Sequence, residues 1–140
     1  MFQPKRTKFR KFQKIQIGGI VGNQKDLSFG DFAIVATEAG LISARCLEAT
    51  RRTLTRKMKR SGQLWCCVFP SIAVSRKPAE TRMGKGKGNP EFWSCDIPAG
   101  QILFELSGVA PEIAHQAIRS ASFKLPLLTR KIERGHLLSN

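Results

Sequence analysis

A chain of 140 residues, 41% of them hydrophobic, can bury one hydrophobic core and is too short for two ordinary domains. Its 24 lysines and arginines, set against 10 acidic residues, give a formal charge of +14 and favour nucleic acid or another anionic partner over a small-molecule substrate. No stretch approaches the roughly 18 uncharged apolar residues of a membrane span, so no transmembrane segment is expected.

The bases are concentrated in three segments, at residues 1–14, 45–60 and 76–87, and the rest of the chain is nearly balanced. A surface that serves only solubility intersperses the two signs of charge. We therefore interpret the three segments as contact zones for an anionic partner, with a generic solvated surface as the alternative.

Residues 1–26 predict a basic N-terminal arm. Bases alternate there with Phe2, Phe9 and Phe12, which suits a segment that lies along a phosphate backbone. The glycines at 18, 19 and 22 indicate a flexible passage from the arm into the folded part of the chain.

Residues 27–37 then predict a strand covered on both faces, because apolar residues occupy both alternating positions towards its end. A turn is expected at residues 38–40. A helix is expected from about Ala44 to Lys59, with Ser43 as its N-cap and Gly62 just past its end.

One side of this first predicted helix is apolar and the other is basic. Leu47, Leu54 and Met58 share a narrow stripe, and the bases gather on the far side. Only Glu48 is placed to form an i,i+4 pair with Arg52, so repulsion among the bases weakens the helix unless phosphate relieves it. Contact with an anion is favoured over a merely solvated face.

Further along, residues 63–69 predict a strand that Pro70 ends, and residues 71–74 predict a looser segment. Strands at 91–97 and 101–106, separated by the turn signal at 98–100, predict an antiparallel hairpin.

A second helix begins with Pro111, and its apolar stripe is formed mainly by small residues, namely Ile113, Ala114, Ala117, Ile118 and Ala121. Leu125-Pro126 is expected to end it, and residues 127–132 predict an edge strand. The pattern indicates an α+β fold, a two-layer sandwich of a mainly antiparallel sheet with two helices. Residues 27–133 form the predicted single domain and residues 134–140 a tail.

The segment 76–90, with three glycines alternating with lysines, predicts an extended basic loop. It lacks the Ser or Thr after lysine, and the following helix, that a nucleotide-binding P-loop requires. Its glycines allow close approach to phosphate, and an extended chain would place Lys85 and Lys87 on the same side. An unstructured linker is the alternative.

Catalytic and metal sites find little support. His115 and His136 have no neighbouring nucleophile or carboxylate arranged for catalysis, and the four cysteines, at 46, 66, 67 and 95, lack metal-ligand spacing. We expect free buried thiols, no metal, no cofactor and no enzymatic activity. The aromatic residues are expected mainly in the core, with Phe123 as the exception.

Five stretches of the sequence closely resemble large-subunit ribosomal protein sixteen of bacteria and organelles, and the resemblance covers residues 1 to about 131. They are MFQPKRTKFRK at 1–11, LEATRR at 47–52, VFP at 68–70, KPAETRMGKGKGNPEFW at 77–93 and GQILFEL at 100–106. The resemblance implies an α+β sandwich that binds large-subunit ribosomal RNA beside the peptidyl-transferase region. It also implies a loop that approaches the A-site and P-site transfer RNAs, and neighbouring large-subunit ribosomal proteins as partners.

On that resemblance, the bases of the arm and first helix would contact ribosomal RNA: Lys5, Arg6, Lys8, Arg10, Lys11, Lys14, Arg45, Arg51, Arg52, Arg56, Lys59 and Arg60. The loop near transfer RNA would comprise Arg76, Lys77, Arg82, Met83, Gly84, Lys85, Gly86, Lys87 and Gly88. The cysteine pair at 66 and 67 departs from the apolar and basic pair expected in bacterial members. These cysteines and the GQILFE stretch favour a mitochondrially encoded member of the family in the mitochondrial matrix, with the chloroplast stroma or bacterial cytoplasm as alternatives.

Two other functions are weighed against this one. A basic architectural DNA-binding protein is supported by charge alone, because the first helix offers no Asn or Gln for reading base edges. A small phosphoryl-handling enzyme would need a general base or metal ligands near the loop, and the sequence places none there.

Overall fold

The computed structural model describes residues 2–13, 16–21 and 27–135, so the predictions for Lys14 and His136 lie outside the described residues. In chain order the elements are β1 (Phe32–Ala36), β2 (Gly40–Ser43), α1 (Ala44–Lys57), β3 (Gln63–Cys66), β4 (Ile72–Arg76), β5 (Asn89–Ile97), β6 (Ile102–Ser107), α2 (Pro111–Ser122) and β7 (Thr129–Glu133). The predicted α+β class is confirmed, and the division into arm, domain and tail stays a prediction.

The strands form two antiparallel sheets, one with the order β3-β6-β1-β7 and one with the order β2-β5-β4. The predicted hairpin between the strands at 91–97 and 101–106 is therefore wrong, since β5 and β6 belong to different sheets. Gly100 has a φ of 89°, and its N–H donates to the Ala36 carbonyl at 2.7 Å. The segment after Pro98 thus joins the end of β1 and carries the chain from one sheet to the other.

Two strands were not predicted. Residues 71–74 were expected to be loose, but β4 pairs with β5 from Ile72 to Arg76. Gly40 was expected within a turn, and it instead begins β2, which pairs with Ile97 at the far end of β5. Both strands are short and gain their order from β5, the nine-residue strand between them.

Strand β1 is buried along its whole length, as predicted. Phe32 and Ile34 belong to a cluster that includes the buried faces of both helices, whereas Ala33 and Val35 contact a smaller cluster with Leu27. Central strands buried on both faces are near-continuous in apolar residues, and this strand follows that pattern.

The helices begin where the sequence predicts. The Ser43 hydroxyl accepts a hydrogen bond from the Cys46 N–H at 3.3 Å, and α1 ends at Lys57, before Lys59 and Arg60 adopt the left-handed conformation with φ of 52° and 64°. The predicted apolar stripes are buried in both helices, except that Ile113 is 41% exposed. Helices α1 and α2 pack against each other through these stripes.

A buried carboxylate anchors the segment that enters β1. Glu105, only 2% exposed, accepts hydrogen bonds from the backbone N–H groups of Phe29 at 2.7 Å and Gly30 at 2.6 Å. A weaker bond at 3.3 Å comes from the N–H of Ser28. Three backbone donors around one carboxylate hold residues 28–30 against β6, because charge-assisted hydrogen bonds are stronger than neutral ones.

Candidate nucleic-acid interface

The basic loop forms the tip of a β-hairpin. Strands β4 and β5 pair up to Arg76 and Asn89, and the residues between them have no strand partner. All side chains from Lys77 to Lys87 are exposed, with Met83 98% exposed. The predicted loop is therefore present, and the hairpin carries its positive charge away from the core.

The loop does not have the extended conformation that the sequence predicted. Gly84, Lys85 and Gly86 have positive φ values of 88°, 57° and 81°. A run of left-handed residues curls the chain, so the expectation that Lys85 and Lys87 lie on one side of an extended chain is wrong. A Cβ added at Gly84 or Gly86 would meet nothing within 4 Å, so the backbone at these glycines stays open to an external group.

Gly88 serves the hairpin itself. A Cβ at this position would lie 2.4 Å from the Arg76 carbonyl oxygen and 2.8 Å from the Lys77 nitrogen. Only glycine allows the two strands to approach so closely where the loop begins. The place of Gly88 in a loop near transfer RNA stays a prediction.

The arm and the loop are joined by a reciprocal pair of hydrogen bonds, which we call the clasp. The Lys11 ammonium donates to the Lys87 carbonyl at 2.8 Å, and the Lys87 ammonium donates to the Phe12 carbonyl. Within the loop, the Lys77 ammonium donates to the Gly84 carbonyl at 2.6 Å. Two of the predicted contact zones thus meet and form one continuous basic surface.

The rest of the described arm presents its bases to solvent. Lys5, Arg6, Lys8, Arg10 and Lys11 are all exposed. The arm is also tied to the folded body, because Phe2 packs against the main core cluster and the Val21 N–H donates to the Ala99 carbonyl at 2.9 Å. Its cations therefore lie along a surface and not on a free tail.

Helix α1 forms a cleft of about 210 Å³ whose lining includes four arginines, Arg51, Arg52, Arg56 and Arg60, together with Thr55. The left-handed backbone at Arg60 turns the chain back so that this side chain joins the three from the helix. Arg45 and Lys59 are exposed on the same element and at its end. Clustered guanidinium groups in a concave site suit a phosphate, which they can bind through two parallel hydrogen bonds.

Glu48 offsets part of this charge. It accepts two hydrogen bonds from Arg51, at 2.8 and 2.9 Å, and one from Arg52 at 2.8 Å, which confirms the predicted i,i+4 pair. The hydrogen bond from Arg51 is the main reason that the pKa of Glu48 is lowered to about 2. Among the described residues neither Arg56 nor Arg60 has a carboxylate partner, so their charge is available to an external anion.

His115 has a carboxylate partner that the sequence did not predict, although no nucleophile joins the pair. Its Nε2 lies 2.6 Å from Oε1 of Glu133, and its ring meets Phe32 edge-on with centroids 5.8 Å apart. The hydrogen bond from His115 lowers the pKa of Glu133. In residues 2–13, 16–21 and 27–135, no cluster of three metal-ligating side chains occurs.

The cysteines are free thiols, as expected, but they are not uniformly buried. Cys95 is buried and Cys67 is exposed, and the two adjacent residues Cys66 and Cys67 lie on opposite faces of the strand end. Although Cys67 is exposed as a residue, partial desolvation of its sulfur and the neighbouring Glu105 carboxylate raise the pKa of this thiol to about 12, and burial raises that of Cys95 to about 11. These groups therefore stay protonated at neutral pH and are poor nucleophiles.

The expectation that aromatic residues other than Phe123 lie mainly in the core is wrong for several of them. Phe9, Phe29 and Phe69 are more than half exposed. Phe29 stacks on Trp65 with centroids 5.9 Å apart and an interplanar angle of 20°. The alternation of polar and apolar residues identified strands but did not reveal which aromatic rings remain at the surface.

Three cations that line one pocket lie outside the charged segments of the sequence. Arg119 from α2 lines a common pocket with Arg130 and Lys131 from β7. These residues are separated along the chain by the connection between the two elements, so no local run of charge marks them. A weak signal was available, since the last turn of α2 contains a base and the second and third residues of the next strand are both basic.

No helix in the described part of the chain is long and apolar enough to cross a membrane.

The sequence is similar to known proteins over nearly its whole length. The family described as "Ribosomal protein L16p/L10e" matches residues 4–132. The chain is 54% identical over 130 residues to "Large ribosomal subunit protein uL16m" of Prototheca wickerhamii, an alignment that covers 93% of this chain and 96% of the relative. It is 52% identical over 134 residues to "Large ribosomal subunit protein uL16" of Beijerinckia indica subsp. indica and to the protein of that name from Xanthobacter autotrophicus, with 96% of this chain and 98% of each relative covered.

Proposed function

The chain belongs to the ribosomal protein L16p/L10e family, and we propose that it is a structural constituent of the large ribosomal subunit that binds large-subunit ribosomal RNA and has no enzymatic activity of its own. The names of the similar proteins from Prototheca and Beijerinckia describe large-subunit proteins. Neighbouring ribosomal proteins are then the expected protein partners.

The arginine cleft of α1 is the observation that carries the RNA assignment. Four guanidinium groups line one concavity, and Glu48 is the only carboxylate among the described residues that pairs with them, so the cleft suits a phosphate of the RNA backbone. The exposed cations of the arm form a second basic surface, which the clasp between Lys11 and Lys87 continues to the loop. A protein that neutralises several phosphates binds nucleic acid with a steep dependence on salt.

The loop is the part that we assign to transfer RNA, at the A and P sites beside the peptidyl-transferase region. Its tip is exposed and carries Arg82 and Lys85 without an acidic partner among the described residues. The backbone at Gly84 and Gly86 is open to a close external contact. Lys87 serves the loop differently, because it holds the arm.

A ribosome of bacterial or organellar type is the location that the relatives support. The mitochondrial-type relative, uL16m of Prototheca, favours the mitochondrial matrix, and the bacterial relatives at nearly equal identity keep the bacterial cytoplasm and chloroplast stroma as alternatives.

Sedimentation of the purified protein with large subunits that lack it tests the proposal. We expect the protein to sediment with the subunit at moderate salt. In an Arg56→Ala/Arg60→Ala variant, we expect the slope of log affinity against log salt concentration to decrease in magnitude by roughly 0.9 for each duplex phosphate contact that is lost. The matched variant Arg56→Lys/Arg60→Lys keeps the charge and should retain most of the slope. Failure of the wild-type protein to travel with the subunit would overturn the proposal, and equal affinity for random duplex DNA would favour an architectural DNA-binding protein.

A further inference from the structure

A pocket of about 290 Å³ lies on the face of the four-stranded sheet opposite the helices. Trp65 of β3, Glu105 of β6 and Ala33 of β1 are paired in register, so their side chains point to the same face. Ala33 belongs to the small cluster with Leu27, which contains no residue of either helix. The lining of the pocket includes Ser28, Phe29, Trp65, Cys67 and Glu105.

One oxygen of the buried Glu105 carboxylate has only weak hydrogen-bond donors. Oε2 accepts the two short bonds, from the N–H groups of Phe29 at 2.7 Å and Gly30 at 2.6 Å. Oε1 receives a longer bond of 3.3 Å from the Ser28 N–H and one of 3.7 Å from the Cys67 thiol, which is a weak donor. Both of these donor residues line the pocket, so Oε1 is the oxygen that lies beside it.

No cation offsets this carboxylate within the described part of the chain. Although the protein contains 24 lysines and arginines, none that the structure describes pairs with Glu105 or lines the pocket. A buried carboxylate without a counter-ion is costly, because burial removes the water that would otherwise solvate its charge. The group that complements this pocket is therefore a cation, in contrast to the phosphates that suit the basic surfaces.

Two aromatic rings in the same lining suit a cationic side chain. Phe29 and Trp65 stack on each other with centroids 5.9 Å apart, and both line the pocket. Phe29 is 60% exposed, so much of its ring has no contact within the fold. Lysine and arginine side chains bury their aliphatic stems on apolar surface and are attracted to aromatic faces.

The position of β3 favours a polypeptide as the source of this cation. In the described part of the chain β3 is an edge of the four-stranded sheet, and it contributes Trp65 to the pocket. An exposed edge strand is a place where a second polypeptide can add its own backbone.

We propose that this pocket binds an arginine or lysine side chain of a neighbouring polypeptide, whose cation contacts Oε1 of Glu105 and whose stem lies against Phe29 and Trp65. An unpaired RNA base would use the rings and donate to the carboxylate, but its phosphates would meet no cation in the described lining. The inference rests on the proposed function, since the polypeptide is then another protein of the large subunit. It gives the chain a protein-binding site outside its three basic segments.

Photocrosslinking in the assembled large subunit tests the proposal. Benzoylphenylalanine in place of Phe29 should crosslink to a protein, and mass spectrometry should find an arginine or lysine close to the point of attachment. The same photoreactive residue in place of Phe123 is the matched control. Phe123 is an exposed phenylalanine that does not line the pocket, so this control should not give the same crosslink.

Two substitutions of Cys67 test the charge. Cys67→Arg brings a guanidinium group to a position whose sulfur lies 3.7 Å from Oε1 of Glu105, so this side chain should occupy the site itself. We expect the crosslink yield from position 29 to fall by on the order of tenfold, because the partner loses a hydrogen bond to a charged group. Cys67→Met adds an unbranched side chain without charge and should keep most of the yield.

The outcomes separate this inference from the function on which it rests. A crosslink from position 29 to ribosomal RNA would show that the pocket takes a base, and no crosslink in subunits that contain the protein would show that the pocket has no partner there. Either result would overturn the inference and keep the ribosomal function. Equal crosslink yields in the Cys67→Arg and Cys67→Met variants would also overturn it, because the partner's cation would then have no role. Failure of the wild-type protein to enter the subunit would overturn both proposals.

Discussion

Lys11 and Lys87 hold each other's segments: the ammonium of Lys11 donates to the carbonyl of Lys87 at 2.8 Å, and the ammonium of Lys87 donates to the carbonyl of the residue after Lys11. Two like charges are thereby brought close together on an already basic surface. Backbone carbonyls offset part of the repulsion, and an RNA phosphate at this place would offset the rest. The arm that we assign to ribosomal RNA and the loop that we assign to transfer RNA are therefore physically linked.

Breaking the clasp should free the arm. The Lys87 ammonium donates to the carbonyl of Phe12. This carbonyl belongs to the peptide bond between Phe12 and the next residue, which is the bond that chymotrypsin cuts. In Lys87→Met we expect cleavage after Phe12 to become about 3 to 10 times faster, since an exposed hydrogen bond contributes roughly 0.5 to 1.5 kcal/mol. Lys85→Met removes the same charge without touching the clasp and is the matched control. Cleavage after Phe9 supplies an internal reference, and equal rates in both variants would contradict the clasp.

Alanine at Gly88 should disrupt the hairpin. The added Cβ would lie 2.4 Å from the Arg76 carbonyl, a backbone atom that cannot swing aside. We expect the free energy of unfolding to fall by about 1 to 3 kcal/mol, together with faster amide exchange at the ends of β4 and β5. Gly86→Ala, where φ is 81° and the added group meets open space, should strain only the tip. If Gly86→Ala were the more destabilising change, the close contact would not set the hairpin.

Changing Glu105 to Gln should destabilise the fold although it alters one atom. The bonds from Phe29 and Gly30 both end on Oε2, so the amide oxygen can keep them. The amide NH2 group then takes the place of Oε1, where it faces the Ser28 N–H and the Cys67 thiol, which are themselves donors. A buried donor left without an acceptor costs roughly 1 to 3 kcal/mol, so urea unfolding should show a loss of stability in that range. Glu133→Gln, at a half-exposed carboxylate, is the comparison and should change stability less. Equal effects would show that the bonds around Glu105 contribute little.

Stability should depend on pH through Glu48. Its pKa falls from 4.5 to about 2 in the folded protein, so the carboxylate stabilises the folded state above pH 4.5 and this contribution is lost as pH falls through 2. The ion pair is partly exposed, so the contribution is about 0.5 kcal/mol. Glu48→Gln should flatten the stability profile between pH 4.5 and 2 relative to wild type, in denaturant titrations at each pH. Glu80→Gln, at an exposed loop residue, should leave the profile unchanged.

The loop tip should affect transfer RNA more than assembly. In Arg82→Ala/Lys85→Ala we expect subunits to contain normal amounts of the protein, while accommodation of aminoacyl-transfer RNA becomes slower in rapid kinetics. Lys87 is left intact in this variant so that the clasp persists. An assembly defect would instead give the tip an architectural role. A normal accommodation rate would remove the assignment to transfer RNA.

Patterns among neighbouring residues were sufficient to predict both helices and the central strand β1. Ser43, followed by a stripe of Leu47 and Leu54, located α1 to within two residues, because capping and helical periodicity are properties of neighbouring residues. The unbroken run of apolar residues in β1 likewise predicted that this strand is buried on both faces.

Pairing between distant segments could not be predicted in this way. Pro98 and Gly100 resemble a hairpin turn, yet Gly100 binds Ala36 on a strand more than sixty residues earlier. The apolar run of β4 is only three residues long, from Ile72 to Val74, and the pairing with β5 that makes it a strand is a contact between distant segments. The clasp and the pocket between α2 and β7 also depend on segments far apart in sequence, so charge runs indicated the basic loop but missed both.

The closure of the hairpin at Gly88 against Arg76 has a consequence for how the protein can vary. The register of β4 and β5 is set by the pairs from Ile72 to Arg76, on the core side of this contact. The loop segment between Pro78 and Lys87 can therefore gain or lose residues while the two strands keep their partners. The distance that the tip extends can then change without a change in the core, so relatives of this chain can differ in the length of this loop and keep the same fold.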